Sequence, residues 1–550
     1  THRGDFTPYW EDGAASSALE TAINRNTAER LVQAEVLWSI FGRQYFPAKQ
    51  FDEAWTNVLL FSEHTWGAVT SKSDPDIDFT KKQWEVKKSF AEKAAQQADL
   101  LVYQGLSGLN GPKAPMPPFL VFNTNSWERT DLVKVPAEWN AGGYTVFEEN
   151  GQAVPTQTLS TGEVAFLAEK LAPFSAKKDF LKKTGTISPL GQAVKVNGFS
   201  ISNEWISASL DEADGTLASL RYQGIPFDFV EKDSFGFNEY WYTGVDAENP
   251  RKSFDQKIKI KENGPLVASL VVESEAPGAH RFTREIQLVA GLDRLDILNT
   301  IDKKRVLEDE NVRFSFPFHV PDGQVRMDLA WALMQPEKDQ LKGANKNFFC
   351  PQHFVDISNE NAGITWANLD APILETGEMH GQRWMSDLLK EPWLKTWIPS
   401  TRLFSWVMNN VWFVNYKRDQ EGIVSFRYSL QPHQAFNSAE AKKFGIERSQ
   451  PFLLLMTDEA QKSVPSFLNL EGDESIIVTS MRPLRDGKGL LLRFFNTTEK
   501  TAKTRLKWAW EKPLALHLSN QKEKRLIPLA LDAALEFGPW EIQTVRVEFE

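Results

Sequence analysis

Gly108-Leu109-Asn110-Gly111-Pro112-Lys113-Ala114-Pro115-Met116-Pro117-Pro118 divides this chain into two kinds of sequence. Its glycines and prolines punctuate rather than fill an element, so the stretch reads as a linker. Before it, apolar residues recur at helical spacing. After it, short apolar runs alternate with turn residues to the C-terminus. The contrast predicts an α+β, multidomain chain: a three-helix bundle followed by β-sandwich modules.

The bundle is expected over residues 14–107. The first helix should run from Ala14 to Phe41, because Leu19, Ile23, Leu31, Ala34, Trp38 and Phe41 form one apolar stripe. Ser17 with Glu20 has capping-box spacing, and Gly42 is a plausible stop. A second, shorter helix is expected from Asp52 to Phe61, with acidic residues in its first turn. The third should open at Thr80 with Gln83, another capping-box pair, and end near Gly105. Helices joined this closely pack as a bundle.

Beyond the linker, Phe119–Phe122, Leu132–Val135 and Tyr144–Phe147 read as strands. So do Ile201–Leu210, Lys257–Ile260, Leu266–Val272, Arg284–Val289, Leu295–Leu298, Gly489–Phe495 and Ile542–Val547. Asp214-Gly215 and Asp486-Gly487 sit where tight hairpins belong. The expected division is 119–190 as a small β domain, 191–465 as a large one and 466–550 as a C-terminal sandwich. No repeat of fixed period is visible.

With 550 residues, 41% of them hydrophobic, the chain can bury several cores. A formal net charge of −11 supplies no bulk attraction to nucleic acid or anionic membrane. No apolar run reaches the roughly 18 residues of a membrane span. Cys350 is the only cysteine, so neither an intramolecular disulfide nor a cysteine-rich metal site can form. That leaves the compartment open between bacterial periplasm and cytoplasm. Aromatics make up 12% of the chain, with 19 Trp. Such rings stack on sugar C–H faces, but they equally fill β-sandwich cores.

Three clusters could carry chemistry. Gly4-Asp5-Phe6-Thr7-Pro8-Tyr9-Trp10 and Phe61-Ser62-Glu63-His64-Thr65-Trp66-Gly67-Ala68 flank the first two helices and could meet in space. Asp5 is placed for acid–base work or to cap the following helix, a task for which Glu11 and Asp12 compete. His64, at a helix end, is a ligand candidate or a satisfied structural imidazole, and the eight His show no zincin spacing. Asn238-Glu239-Tyr240-Trp241-Tyr242-Thr243-Gly244 sets a carboxylate among aromatics; it fits a sugar-contacting loop or a buried aromatic corner with an ion-paired Glu239.

Several motifs resemble glycoside hydrolase family 38 α-mannosidases, over what would be their C-terminal two-thirds. Gly4-Asp5-Phe6 with Tyr9-Trp10 resembles the family's G-D-F-F segment followed by Y-W. Thr27 to Leu37 resembles its first bundle helix with the A-E-x-L ending. Glu63-His64-Thr65-Trp66-Gly67 stands where the family has H-H-D-x-x-x-G or H-D-S-x-G. Val121-Phe122-Asn123-Thr124 resembles V-F-N-P. Asn203-Glu204 with Asp214 to Leu220 resembles N-E … D-x-x-G-x-I-x-S-L. Leu491 to Asn496 and Pro539 to Thr544 resemble L-R-x-Y-N and P-x-E-I-x-T.

The resemblance implies a retaining, zinc-assisted α-mannosidase acting on mannose-containing oligosaccharides or glycosides, with residues 191–465 as a mutarotase-like supersandwich. His64 matches a zinc ligand and Asp5 the general acid/base. Tyr9, Trp10, Glu63, Trp66, Glu239 and Tyr240 become candidate substrate contacts. Residues 1–13 would be the last strand of an α/β catalytic domain of about 250 residues. Its remainder, with a His-x-Asp pair and the nucleophile, is expected before Thr1 as a partner of this chain, which alone should be inactive. The family's Asp after the zinc-binding His is Thr65 here. A non-catalytic carbohydrate-binding protein is the alternative reading.

Overall fold

The computed structural model describes residues 11–109, 118–139, 143–183, 194–232, 235–244, 249–380, 394–412 and 415–550. Most of the linker, 110–117, therefore lies outside the described residues, as does 1–10. A 3₁₀ turn, Glu11–Ser17, leads into α1 (Ala18–Phe41). After it come α2 (Ala48–Phe61) and α3 (Asp78–Gly105). Leu31, Ala34 and Leu37 of α1 pack with Phe51, Ala54 and Val58 of α2 and Ala94, Ala98 and Leu101 of α3. Small alanines let α3 approach closely, which is why a polar helix with few large apolar residues still belongs to the bundle.

Two helix-start readings fail. Ser17 makes no side-chain capping bond and its hydroxyl is buried without a partner. Thr80 lies inside α3, where its hydroxyl donates to Asp74 O at 2.8 Å. Helix α2 also begins four residues earlier than expected, with Pro47 preceding its first residue. Gly42 does end α1, but with φ −146° rather than in the left-handed conformation.

The single-stripe reading of α1 is also too simple, because β structure surrounds that helix. Arg25 donates to Leu369 O at 3.1 Å and Gln352 O at 2.8 Å in the large β unit. Gln33 donates to Thr124 Oγ1 at 3.1 Å and Pro451 O at 2.8 Å beside the small sheet. Ser39 donates to Met481 O at 3.2 Å, and Val36 enters the core of the C-terminal sandwich. A helix that contacts every β unit needs polar groups on its buried faces to satisfy their carbonyls.

The small unit pairs Phe119–Asn123 with Ser175–Lys183. Its edge strand comes from far along the chain: Leu453–Met456 pairs with Phe119–Phe122, although the sequence reading places it in the large unit. In the large unit a nine-stranded antiparallel sheet faces a five-stranded one. The nine-stranded sheet runs from Phe254–Asn263 at one edge to Ala332–Met334 at the other, and the five-stranded sheet contains Glu239–Thr243, Asn311–Pro317 and Arg402–Asn409. One apolar core fills the space between them. The C-terminal sandwich stacks a three-stranded sheet on a five-stranded one, closing at Ile542–Glu548.

Both Asp-Gly hairpins form, with Gly215 at φ +65° and Gly487 at φ +70°. Ile201–Leu210 is two strands rather than one. The Asn203 side chain accepts from Trp205 N at 3.0 Å and Ile206 N at 2.8 Å, turning the chain between Ser200–Ser202 and Ile206–Leu210. Within the β region the sequence reading also missed α4 (Ser438–Ser449), which Asn437 caps by accepting from Ala439 N at 3.0 Å.

Candidate active site

Asp5, Tyr9 and Trp10 lie outside the described residues. The segment that follows them is well anchored. Asp12 is fully buried, its Oδ1 accepting from the Tyr416 hydroxyl at 2.7 Å while its Oδ2 has no partner. Its backbone carbonyl accepts from Asn409 Nδ2 at 2.7 Å. One turn on, Gln420 donates to Ala15 O and accepts from Ala18 N. Burial pushes the Asp12 carboxyl up to about 7, since the Tyr416 bond only partly offsets desolvation. The expectation that Asp12 competes to cap a helix is thus corrected: it meets a tyrosine 404 residues away.

The second cluster packs against the segment Glu11–Ser17 that follows the first. A methyl group on Gly13 would stand 1.9 Å from Trp66 Cδ1, so the indole lies directly on that glycine. Trp66 is 5% exposed and meets Phe61 edge-on, with ring centres 6.3 Å apart. A Cβ on Gly67 would come within 2.9 Å of the Tyr416 carbonyl carbon, so the loop after α2 also abuts the loop carrying Tyr416. Asp12, Trp66, Trp412 and Tyr416 form a rigid aromatic platform, with Trp412 stacked on Tyr416 at 5.3 Å.

His64 projects from the rim of this platform and is exposed, with Nδ1 held by the Glu63 carboxylate. Glu63 also accepts from Thr65 N and Thr65 Oγ1, each at 3.1 Å. Against the opposing effect of desolvation, these bonds hold the Glu63 carboxyl below its usual range. Thr65, where the family pattern has Asp, thus serves the carboxylate before it. Beneath the loop, Lys87 of α3 donates to Glu63 O at 2.8 Å and Leu60 O at 3.3 Å. Burial lowers its ammonium to about 8.

The Glu239–Tyr240 pair occupies a different environment. Glu239 is 3% exposed, ion-paired to Lys252 at 2.8 Å and accepting from Gly236 N at 2.8 Å. Tyr240 is completely buried, its hydroxyl donating to Pro277 O at 2.6 Å. In this structure both pack within the large β unit, matching the aromatic-corner alternative. Trp66 has no open face for stacking.

Among the described residues no three His, Cys, Asp or Glu side chains converge as a metal site. His64 with Glu63 offers one nitrogen and one carboxylate, short of the three protein ligands of a catalytic zinc. These residues do not by themselves fit that ion.

Residues 201–371 match the glycosyl hydrolases family 38 C-terminal domain. Residues 475–545 match the family 38 C-terminal beta sandwich domain. Among curated proteins no sequence matches the chain. A solved structure of a glycosyl hydrolase family 38 protein from Enterococcus faecalis superposes with TM-score 0.72 at 17% identity, covering 98% of this chain and 71% of that one. An alpha-mannosidase from Enterococcus faecalis V583 gives the same TM-score and identity, covering 98% of this chain and 68% of that one. At that identity the likeness establishes a shared fold.

Proposed function

The chain belongs to glycosyl hydrolase family 38 through its C-terminal domains, and on that premise we propose that it forms part of a retaining α-mannosidase. One observation carries the reading. An exposed imidazole, oriented by Glu63, stands beside a rigid platform that also anchors the segment leading back to Asp5. The His64 cluster and the segment that continues from the Asp5 cluster thereby share one corner of the fold, which supports the reading.

In the proposed reaction the Asp5 carboxyl gives its proton to the glycosidic oxygen as the bond to the anomeric carbon breaks. A second carboxylate, outside the described residues, attacks that carbon to form a glycosyl ester. Asp5, now ionised, takes a proton from the water that hydrolyses the ester, and configuration is retained. Such a pair stands about 5 Å apart. The platform's task is to hold the Asp5 segment in register; Asp12 is a positioning residue. Any zinc bound by the whole enzyme would use His64 as one ligand, with the others supplied from beyond these residues. The 550-residue chain alone should therefore retain less than one zinc per molecule after dialysis, measured by elemental analysis.

Kinetics test the assignment in the enzyme including any preceding α/β portion. Asp5→Asn should slow hydrolysis of a mannobiose by about a hundredfold or more, the scale of a lost proton donor. The loss should be smaller on an aryl α-mannoside whose leaving group departs unprotonated. Equal loss on both substrates would remove the acid role from Asp5. Full activity in both Asp5→Asn and His64→Ala would overturn the site assignment, whereas sugar binding with no hydrolysis by the unaltered enzyme would favour the carbohydrate-binding alternative.

A further inference from the structure

A second cleft lies between α1, α2 and the C-terminal sandwich, with a cavity volume of about 840 Å³. That falls within the roughly 300–1,000 Å³ of small-molecule sites. Trp55 of α2 and Trp331 of the large unit line it, each half-buried. Trp331 sits at the turn between Gln324–Leu329 and Ala332–Met334 with φ +62°, a left-handed conformation that bulky residues rarely adopt.

The polar groups divide into two kinds. Arg485 is held bidentate by Asp52 at 2.8 Å, Arg482 by Glu523 at 2.6 Å, and Glu29 by His353 at 2.9 Å. These pairs are satisfied scaffolding. Glu35 and Arg493 also line the cleft; among the described residues neither forms an ion pair within 4.0 Å, although Glu35 feels the Arg482 charge and hydrogen-bonds Ser480. Glu35 is 7% exposed and accepts from Trp55 Nε1 at 3.0 Å. The cleft thus presents one buried carboxyl, one uncommitted guanidinium and two indoles, with its remaining charges balanced. That set suits a neutral, hydroxyl-rich ligand: the carboxyl and guanidinium take hydroxyls, and the indoles cover C–H faces. An anion such as phosphate would meet too little excess positive charge.

We propose that this cleft is a second carbohydrate-binding site, separate from the His64 corner, that holds one or two sugar units of a neutral oligosaccharide. The choice of mannosides as ligands rests on the hydrolase reading. Binding needs no turnover, so an inactive enzyme that still binds here would defeat that reading and leave this one standing.

Calorimetric titration of the chain with methyl α-mannoside and with mannobiose provides the test. Saturable binding is expected, weakened about tenfold or more, the equivalent of 1.4 kcal/mol, in Trp55→Ala and in Arg493→Ala. Arg493 lies partly exposed on a strand, so its variant should keep the wild-type melting temperature and separates lost binding from lost folding. His64→Ala should bind as the wild type does. The proposal is overturned by absence of saturable binding at tens of millimolar sugar. It is equally overturned by binding that persists in both cleft variants, by binding abolished in His64→Ala alone, or by inorganic phosphate outcompeting either sugar.

Discussion

Asp12 shows how one buried carboxyl couples the first turn of the chain to its pH response. In the folded protein it titrates near 7, against an ordinary value of 3.8, because burial disfavours its charge. Between those values the native state keeps a proton that the unfolded chain has released. Raising pH through that window therefore lowers stability. Asp12→Asn cannot titrate and keeps an oxygen to accept from Tyr416. Its stability relative to wild type should rise from about pH 4 to about pH 7, by at most about 4 kcal/mol, the linkage value of a three-unit shift. Denaturant unfolding across that range measures the difference; a gap that does not change with pH would mean that burial is not what raises this group.

Helix starts separate by what their first side chains bond. Ser17 precedes α1 with a buried hydroxyl that caps nothing, whereas Asn437 accepts from the first amides of α4. Ser17→Ala should leave stability within about 0.5 kcal/mol or raise it, since it removes an unsatisfied buried hydroxyl. Asn437→Ala should cost about 1 kcal/mol. Chemical unfolding of the two variants side by side checks the contrast, and equal losses would contradict the capping geometry. Both sites carry a plausible cap followed by Glu three residues on, so spacing alone could not rank them. Tertiary packing decides, because the 3₁₀ turn Glu11–Ser17 enters α1 already buried against the loop that carries Gln420.

Across the whole molecule, Asp131 ties the units together. Arg129 of the small β unit, Arg294 of the large one and Arg448 of α4 converge on its carboxylate at 3.4, 2.7 and 2.9 Å. Although desolvation opposes ionisation, the three guanidiniums outweigh it and hold this carboxyl far below its usual range. Its contribution is present throughout neutral pH and is lost only as pH falls through that depressed value. Asp131→Asn would take the shared carboxylate from all three guanidiniums, leaving Arg294 with Asp296 and Arg129 with Glu447, so a loss of about 3 kcal/mol is expected at pH 7. A shift in denaturant midpoint at unchanged slope reports it, and a loss under 1 kcal/mol would show the arginines to be solvated.

Much of this was legible in the residues. Periodicity located α2, α3 and most strands, the Gly-Pro stretch marked the passage from helix to sheet, and ordered motif resemblances pointed to the family whose C-terminal domains match residues 201–371 and 475–545, because each depends on local spacing. Helix α4 carried a visible Asn cap but too few large apolar residues to stand out among strands. What no spacing could show was which distant groups meet. Trp66 and Tyr240 look alike in sequence to surface aromatics, yet one is laid on Gly13 and the other is sealed in the large unit. Asp12 looks like a cap and becomes the buried partner of Tyr416. Local sequence determines which elements form, since backbone propensity and amphipathic period act over a few residues. Burial and charge at a site depend on packing between elements hundreds of residues apart, and only the tertiary structure decided that.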